Sequence, residues 1–265
     1  MASEDVLGRI AAHTAKRVAR FKRERPVAAL QAEPLYARKP RDFAAAFKGP
    51  FPRVIAEVKF ASPSEGFIRK EEPSAEAASR IAASYLARGA AALSILTERN
   101  FFGGAPEFLR AVRRAQPEAM LLMKDFFIDP YQFELARACG ADCVLVIAAL
   151  AGASLKAMVE AAKTLELSAL VEVHKEEELE AAKAAGAALI GVNSRDLKTL
   201  KTDLDVARRL GPAAGPGRVL VAESGLKTAA DLRSLSACGF QGFLVGTALM
   251  RADDPGLALA ELLKP

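Results

Sequence analysis

Eight short β-rich apolar runs, starting near Val54, Ala92, Met120, Cys143, Ser168, Leu189, Val219 and Gly242, constrain this chain's fold more than any other feature. Runs of this length bounded by turn residues read as buried strands. One helix-length segment lies between each pair. In Ser74 to Arg88, Pro106 to Ala115, Pro130 to Cys139 and Lys175 to Ala185, Leu, Ala and Ile recur at three- and four-residue intervals, as one face of a helix requires. Strands that alternate with helices form a parallel sheet, because each crossover brings the chain back to the same end.

A weak internal repeat supports this reading. The phrases ending in Gly89, Gly140, Gly186 and Gly239 followed by Ala or Phe each precede a strand, and they recur about every fifty residues. Each glycine suits the left-handed residue that ends a helix. Evenly spaced units favour a closed α/β architecture, the TIM (β/α)8 barrel, over an open doubly wound sheet. The open sheet would also call for a GxGxxG turn after its first strand, and none is present. A length of 265 residues fits one such barrel. The first fifty residues are polar and helical and end in the Pro-bearing stretch from Lys39 to Pro52. We expect an N-terminal helical extension over residues 1–50, packed on a catalytic barrel over 51–265. Within it, the basic stretch His13 to Arg25 reads as a solvated helix rather than a transit peptide.

In such a barrel, inward side chains near the C-terminal strand ends build the active site, and inward residues lower down pack in apolar layers. The first strand puts Glu57 and Lys59 on the face of Ile55, because side chains alternate along a strand. Lys124 ends the third run, Glu172 the fifth, Asn193 and Arg195 the sixth, and Glu223 the seventh. Any one could be a strand-terminal charge reaching solvent, but the set together points inward. Two lysines and three glutamates in one mouth should perturb each other's proton affinities, as acid and base chemistry at neutral pH needs. His174 falls outside this pattern and reads as structural.

A second signal is independent of those charges. Glu223-Ser224-Gly225-Leu226 follows the seventh run and Gly246-Thr247 follows the eighth, so two glycine turns open helices at adjacent strand ends. Backbone N–H groups there can cradle a phosphate, and this is where such barrels hold one. Ser62, in the loop Ala61 to Gly66, is placed to reach the same anion, and that loop is a candidate lid.

Composition removes several function classes. Three cysteines with no CxxC pair argue against a disulfide framework, and Cys139, Cys143 and Cys238 are expected to be buried small apolar residues. Only His13 and His174 are available, so no Cys/His metal cluster can be assembled and metal-free chemistry is expected. No apolar run is long enough to cross a membrane, and the chain starts without a secretory signal, so we expect a soluble, cytoplasmic protein. The net charge of +5 is spread along a chain without tryptophan. That charge suits an anionic metabolite as well as nucleic acid, and we expect no nucleic-acid partner.

The segments GluValLysPheAlaSerProSer (57–64), SerIleLeuThrGlu (94–98), LeuMetLysAspPhe (122–126), IleGlyValAsnSerArgAspLeu (190–197) and ValAlaGluSerGly (221–225) closely resemble indole-3-glycerol phosphate synthase, in order along the whole barrel. That resemblance implies conversion of 1-(2-carboxyphenylamino)-1-deoxyribulose 5-phosphate to indole-3-glycerol phosphate, with loss of CO2 and water, in tryptophan biosynthesis. No cofactor is implied. By matching position, Lys124 is the general acid for ring closure, Glu172 the acid/base partner in dehydration, and Glu57 with Lys59 an ion pair beside the substrate, with Lys59 near its carboxylate and a second candidate for the dehydration step; which of these groups moves which proton stays open at this point. Asn193 and Glu223 would bind substrate hydroxyls and orient the lysines, with Arg195 on the carboxylate side. Ser62, Ser224, Gly225, Gly246 and Thr247 would line the phosphate, and Phe102 and Phe126 would sandwich the aromatic ring. Thr247 departs from the serine frequent in the family, yet keeps the hydroxyl. The resemblance covers no second barrel, and a monomer is expected.

Two other readings differ in what they require. Another phosphate-binding barrel enzyme, such as phosphoribosylanthranilate isomerase, would need a cysteine or aspartate at strand ends where Lys59 and Lys124 stand. A non-catalytic phosphometabolite-binding barrel predicts erosion of the interior charges, and these remain intact.

Overall fold

The computed structural model describes residues 6–196 and 199–264. Leu197, the last residue of the NSRDL segment, and the first five residues lie outside that range. Eight parallel strands close into a barrel: β1 (Arg53–Val58), β2 (Ala92–Leu96), β3 (Leu121–Lys124), β4 (Cys143–Ile147), β5 (Ser168–Val173), β6 (Leu189–Asn193), β7 (Val219–Glu223) and β8 (Gly242–Val245). Closure is between β1 and β8, with Arg53 opposite Gly242 and Ala56 opposite Val245. Each strand begins within one residue of the position read from the sequence.

The crossovers are helical, as the three- and four-residue periodicity requires. In chain order the helices are α1 (Val6–Glu24), α2 (Val27–Gln31), α3 (Ala75–Ala87), α4 (Pro106–Ala115), α5 (Tyr131–Cys139), α6 (Ala148–Ala151), α7 (Leu155–Thr164), α8 (Glu176–Ala184), α9 (Asp205–Ala213), α10 (Ala229–Ser236), α11 (Thr247–Met250) and α12 (Pro255–Leu262). Ser74 caps α3 by accepting the Ala77 N–H, and Thr228 with Asp231 forms a reciprocal capping box on α10. Gly89, Gly140, Gly186 and Gly239 all adopt positive φ, between 78° and 96°, so the repeated glycine does end helices in the left-handed conformation.

Strand parity divides the apolar residues into two bodies. Ile55, Ala92, Leu122, Leu145, Leu170, Leu189, Val221 and Leu244 fill the barrel interior, while Val54, Leu93, Val144, Val171, Ile190 and their like pack under the helices. Cys139 and Cys143 are buried as expected; Cys238, near the end of the α10 turn, is only half-buried. The N-terminal segment reaches both ends of the barrel. A 3-10 turn, Phe43–Phe47, plugs the bottom, where Phe47 packs so closely on Gly242 that a Cβ there would lie 2.3 Å from its ring. Helix α1 crosses the top: Ile10, Thr14 and Val18 are buried, so the helix is solvated on one side only. Arg17 ties it to Asp125 at 2.6 Å and Lys22 to Asp129 at 2.7 Å.

Candidate active site at the barrel mouth

The interior parity set by Ile55, Leu122, Leu170 and Val221 continues upward into Glu57 and Lys59, Lys124, Glu172 and Glu223. The charges read from the sequence therefore meet at one end of the barrel. Lys124 Nζ donates to Glu223 Oε2 at 2.8 Å and to Glu172 Oε2 at 3.3 Å. Lys59 Nζ lies 2.8 Å from Glu57 Oε1, and Ser94 Oγ donates to Glu57 Oε2 at 3.3 Å. Asn193 accepts the Arg195 backbone N–H at 2.9 Å, and its side chain is near enough to Glu172 to favour that carboxylate's ionised form. The three carboxylates are almost fully buried, and the two ammonium groups keep a small opening to the cleft.

These groups set one another's protonation. Burial works against charge on Lys124, but Glu223, Glu172 and Glu57 outweigh it and raise its proton affinity, so the amine keeps its proton at neutral pH. Burial and the neighbouring Glu172 push Glu223 up to about 7 despite Lys124. Glu172 is also disfavoured by burial, yet Lys124 and His174 hold its carboxyl below the usual range. Two carboxylates on one lysine thus diverge, one near neutrality and one held ionised, a separation of the kind that acid/base chemistry uses.

The cleft above the cluster has two lobes that share Glu57, Lys59, Arg195, Ser224 and Thr247. One lobe is largely apolar, walled by Phe102, Phe126, Leu145, Ile147 and Leu244, and roofed by Val6, Leu7 and Ile10 of α1. The other is lined by Ser224, Gly225, Gly246 and Thr247 with Lys227 and Arg251, and so gathers backbone and cationic groups. Its floor is a tight turn in which Ser224 (φ 65°) and Gly225 (φ 80°) are both left-handed. Positive φ at a serine is uncommon and strained, and consecutive turns of this kind direct N–H groups toward an anion. At Gly246 a Cβ would lie 2.3 Å from Glu57 Oε1, so only glycine lets the turn sit against that carboxylate.

Three expectations need correction. Phe102 and Phe126 do not face each other across a gap: their centroids are 5.7 Å apart at 36°, a direct ring contact, so they are neighbouring panels of one wall. Ser62 lines the apolar lobe with Ser64, 3.3 Å away, rather than the anion lobe. The loop folds back as a short hairpin with Ser62 opposite Gly66, and Glu65 is the residue it sends to the anion lobe, where it pairs with Arg251. His174 is not remote from the cluster, since its Nε2 lies 3.4 Å from Glu172 Oε1. Its two-residue offset from Glu172 carried that signal, because residues two apart share a strand face. The α1 roof had no such signal, since contact between a remote helix and the mouth is a tertiary fact.

A profile described as indole-3-glycerol phosphate synthase matches residues 7–262. The chain is 47% identical over 212 residues to the protein of that name from Carboxydothermus hydrogenoformans, covering 79% of this chain and 78% of the relative. It is 44% identical to the one from Bordetella pertussis, covering 98% of this chain and 99% of the other, and 43% identical to that of Albidiferax ferrireducens over 97% and 98%. Among solved structures, a 3-hexulose-6-phosphate synthase superimposes with TM-score 0.64 at 19% identity, over 80% of this chain and 98% of that one, a likeness of fold. With its barrel, its strand-end charges and these relatives taken together, the chain belongs to the indole-3-glycerol phosphate synthase family.

Proposed function

We propose that the two-lobed mouth binds 1-(2-carboxyphenylamino)-1-deoxyribulose 5-phosphate with its arene in the apolar lobe and its phosphate in the other, and that the buried charges between them carry the chemistry. The chain is a carboxy-lyase of tryptophan biosynthesis, forming indole-3-glycerol phosphate with release of CO2 and water. The observation that carries the residue assignment is Lys124, a protonated amine held between two carboxylates at the floor of the apolar lobe, next to the Glu57–Lys59 pair that both lobes share.

The reaction needs an electrophilic ketone. As the carboxylate-bearing ring carbon attacks it, the Lys124 ammonium gives its proton to the ketone oxygen, converting it to a hydroxyl. Loss of CO2 from that ring carbon returns the bonding pair to the ring. Departure of the hydroxyl as water, with loss of a proton from the neighbouring carbon, completes the indole. Glu172 serves as the acid/base group in this dehydration. Lys59, paired with Glu57, faces the substrate carboxylate together with Arg195, and Asn193 and Glu223 hold the substrate hydroxyls. Ser224, Gly225, Gly246 and Thr247 receive the phosphate, with Arg251 and Lys227 adding charge. Phe102 and Phe126 form one wall for the arene. In this reading residues 1–50 are the extension and 51–265 the catalytic barrel, and the working unit is a cytoplasmic monomer.

The test is direct. Purified protein and the carboxyphenylaminodeoxyribulose phosphate, mixed without added cofactor, should generate indole fluorescence with one CO2 released per product. A folded protein that yields neither would overturn the reading.

A further inference from the structure

The residue that the strand-end pattern does not explain is His174, one position beyond β5. It shares the inward parity of Glu172, and its imidazole is held from two sides. Nε2 lies 3.4 Å from Glu172 Oε1, while Nδ1 lies 3.5 Å from Glu178 Oε2. Glu178 also accepts the His174 backbone N–H at 2.8 Å, so one carboxylate of α8 fixes both the main chain and the ring. Nε2 is buried and has no well-aligned hydrogen-bond partner among the described residues. It therefore faces Glu172 at ion-pair distance without an aligned hydrogen bond.

The consequence falls on Glu172. Lys124 donates to its Oε2 and His174 stands against its Oε1, so the two oxygens of one carboxylate meet nitrogen groups from different parts of the barrel. A carboxyl held at one oxygen by a hydrogen bond and faced at the other by an imidazole is restricted in orientation, and acid/base catalysis depends steeply on that orientation. We propose that His174, braced by Glu178, is a positioning residue that aims Glu172 at the substrate and holds it ready for the dehydration step. This inference rests on the role of Glu172 given above.

The charged surroundings agree with that assignment. From β5 the ring meets Glu172, from α8 it meets Glu178, and from β7 it feels Glu223. Lys175, 3.9 Å from Glu178, is the nearby cation on its own side. Burial disfavours the imidazolium, but the Glu178 hydrogen bond and the Glu172 charge outweigh it, so His174 keeps its proton to higher pH than an ordinary histidine. While it does, it favours the ionised form of Glu172.

The test compares kcat, KM and the pH profile of the full-length enzyme with His174→Leu, His174→Gln and Glu178→Gln. Loss of positioning should lower kcat of His174→Leu roughly ten- to a hundredfold, with KM within about threefold. The acid limb of its kcat profile should move to higher pH, because Glu172 loses a stabilising charge. His174→Gln should recover part of kcat, since its amide can donate from the place of Nε2. Glu178→Gln should move both quantities the same way by less. The proposal is overturned if His174→Leu matches wild type, or if the leucine and glutamine variants lose activity equally with an unmoved limb. Should His174→Leu fail to fold, an unmoved limb in folded Glu178→Gln overturns it as well. Inactivity of the wild-type protein would instead overturn the functional reading beneath it.

Discussion

Two buried ionic clusters sit at opposite ends of the same barrel and are built to different rules. At the bottom, ahead of β4, the fully buried Asp142 accepts Arg113 Nη2 at 2.5 Å and the N–H groups of Leu121 and Arg41 at 2.9 Å each, and it pairs with Arg38. Arg113 gives its other N–H groups to the carbonyls of Gly140, Pro117 and Ala119 at 2.7–2.8 Å. At the top, Lys124 is shared by Glu172 and Glu223, while Glu223 Oε1 and His174 Nε2 lack hydrogen-bond partners among the described residues. Burial of ions is costly in both places; the bottom network offsets it by filling both Asp142 oxygens and spending the Arg113 guanidinium on carbonyls, with Arg38 Nε unpartnered at its margin, whereas the upper one leaves groups of its central carboxylates and imidazole unsatisfied. The closed cluster joins the N-terminal segment to the barrel. In the function proposed above, substrate completes the open one, in keeping with the division of such barrels into a stability face and a catalytic face.

This contrast can be broken first at the bottom. Asp142→Ala strands a buried guanidinium and should cost about 3–5 kcal/mol of stability, or roughly 10 °C in Tm, with little change in KM for the protein that remains folded. A loss below about 1 kcal/mol in a denaturant titration would show that the cluster is not closed in the sense described. At the top, Thr247→Glu places a like charge against the phosphate lobe and should raise KM by roughly a hundredfold while leaving Tm nearly unchanged. An unchanged KM would mean that the phosphate sits elsewhere.

A pH series sharpens the comparison further. Glu223 binds its proton more tightly in the folded protein, near 7, than its ordinary value of 4.5. Its contribution to stability is therefore fully present below about pH 4.5 and is lost as pH rises through about 7. Glu223→Gln should accordingly gain stability relative to wild type by about 2–3 kcal/mol on going from about pH 5 to about pH 8. A difference that is flat with pH would contradict the open character of the upper cluster. The smallest effect is expected at Lys22→Ala, which removes a partly exposed pair to Asp129 and should cost less than about 1 kcal/mol by thermal melting.

Periodicity made the barrel readable. The runs beginning at Ala92, Cys143 and Gly242 became strands at those residues, since apolar alternation and the glycine at each helix end act locally. Much of the mouth was readable for the same reason: Glu57, Lys124, Glu172 and Glu223 inherit their direction from strand parity. What escaped depends on loops and long-range contacts. Nothing local to Val6, Leu7 or Ile10 says that α1 roofs the apolar lobe, and nothing local to Phe102 fixes its contact with Phe126. Where Ser62 stands also depends on its loop, which turns back into a hairpin that puts Ser62 along the apolar lobe and Glu65 along the other. Nothing local to Arg113 or Asp142 marks them as buried, since their pairing is made across the fold.

The central claim is that the open upper cluster is chemical machinery rather than packing. Its most direct test is Lys124→Ala, followed by substrate titration and single-turnover formation of the indole product on the same preparation. The account predicts substrate affinity within about tenfold of wild type and a chemical step slowed by at least about a thousandfold. Wild-type-like turnover in that variant would contradict it.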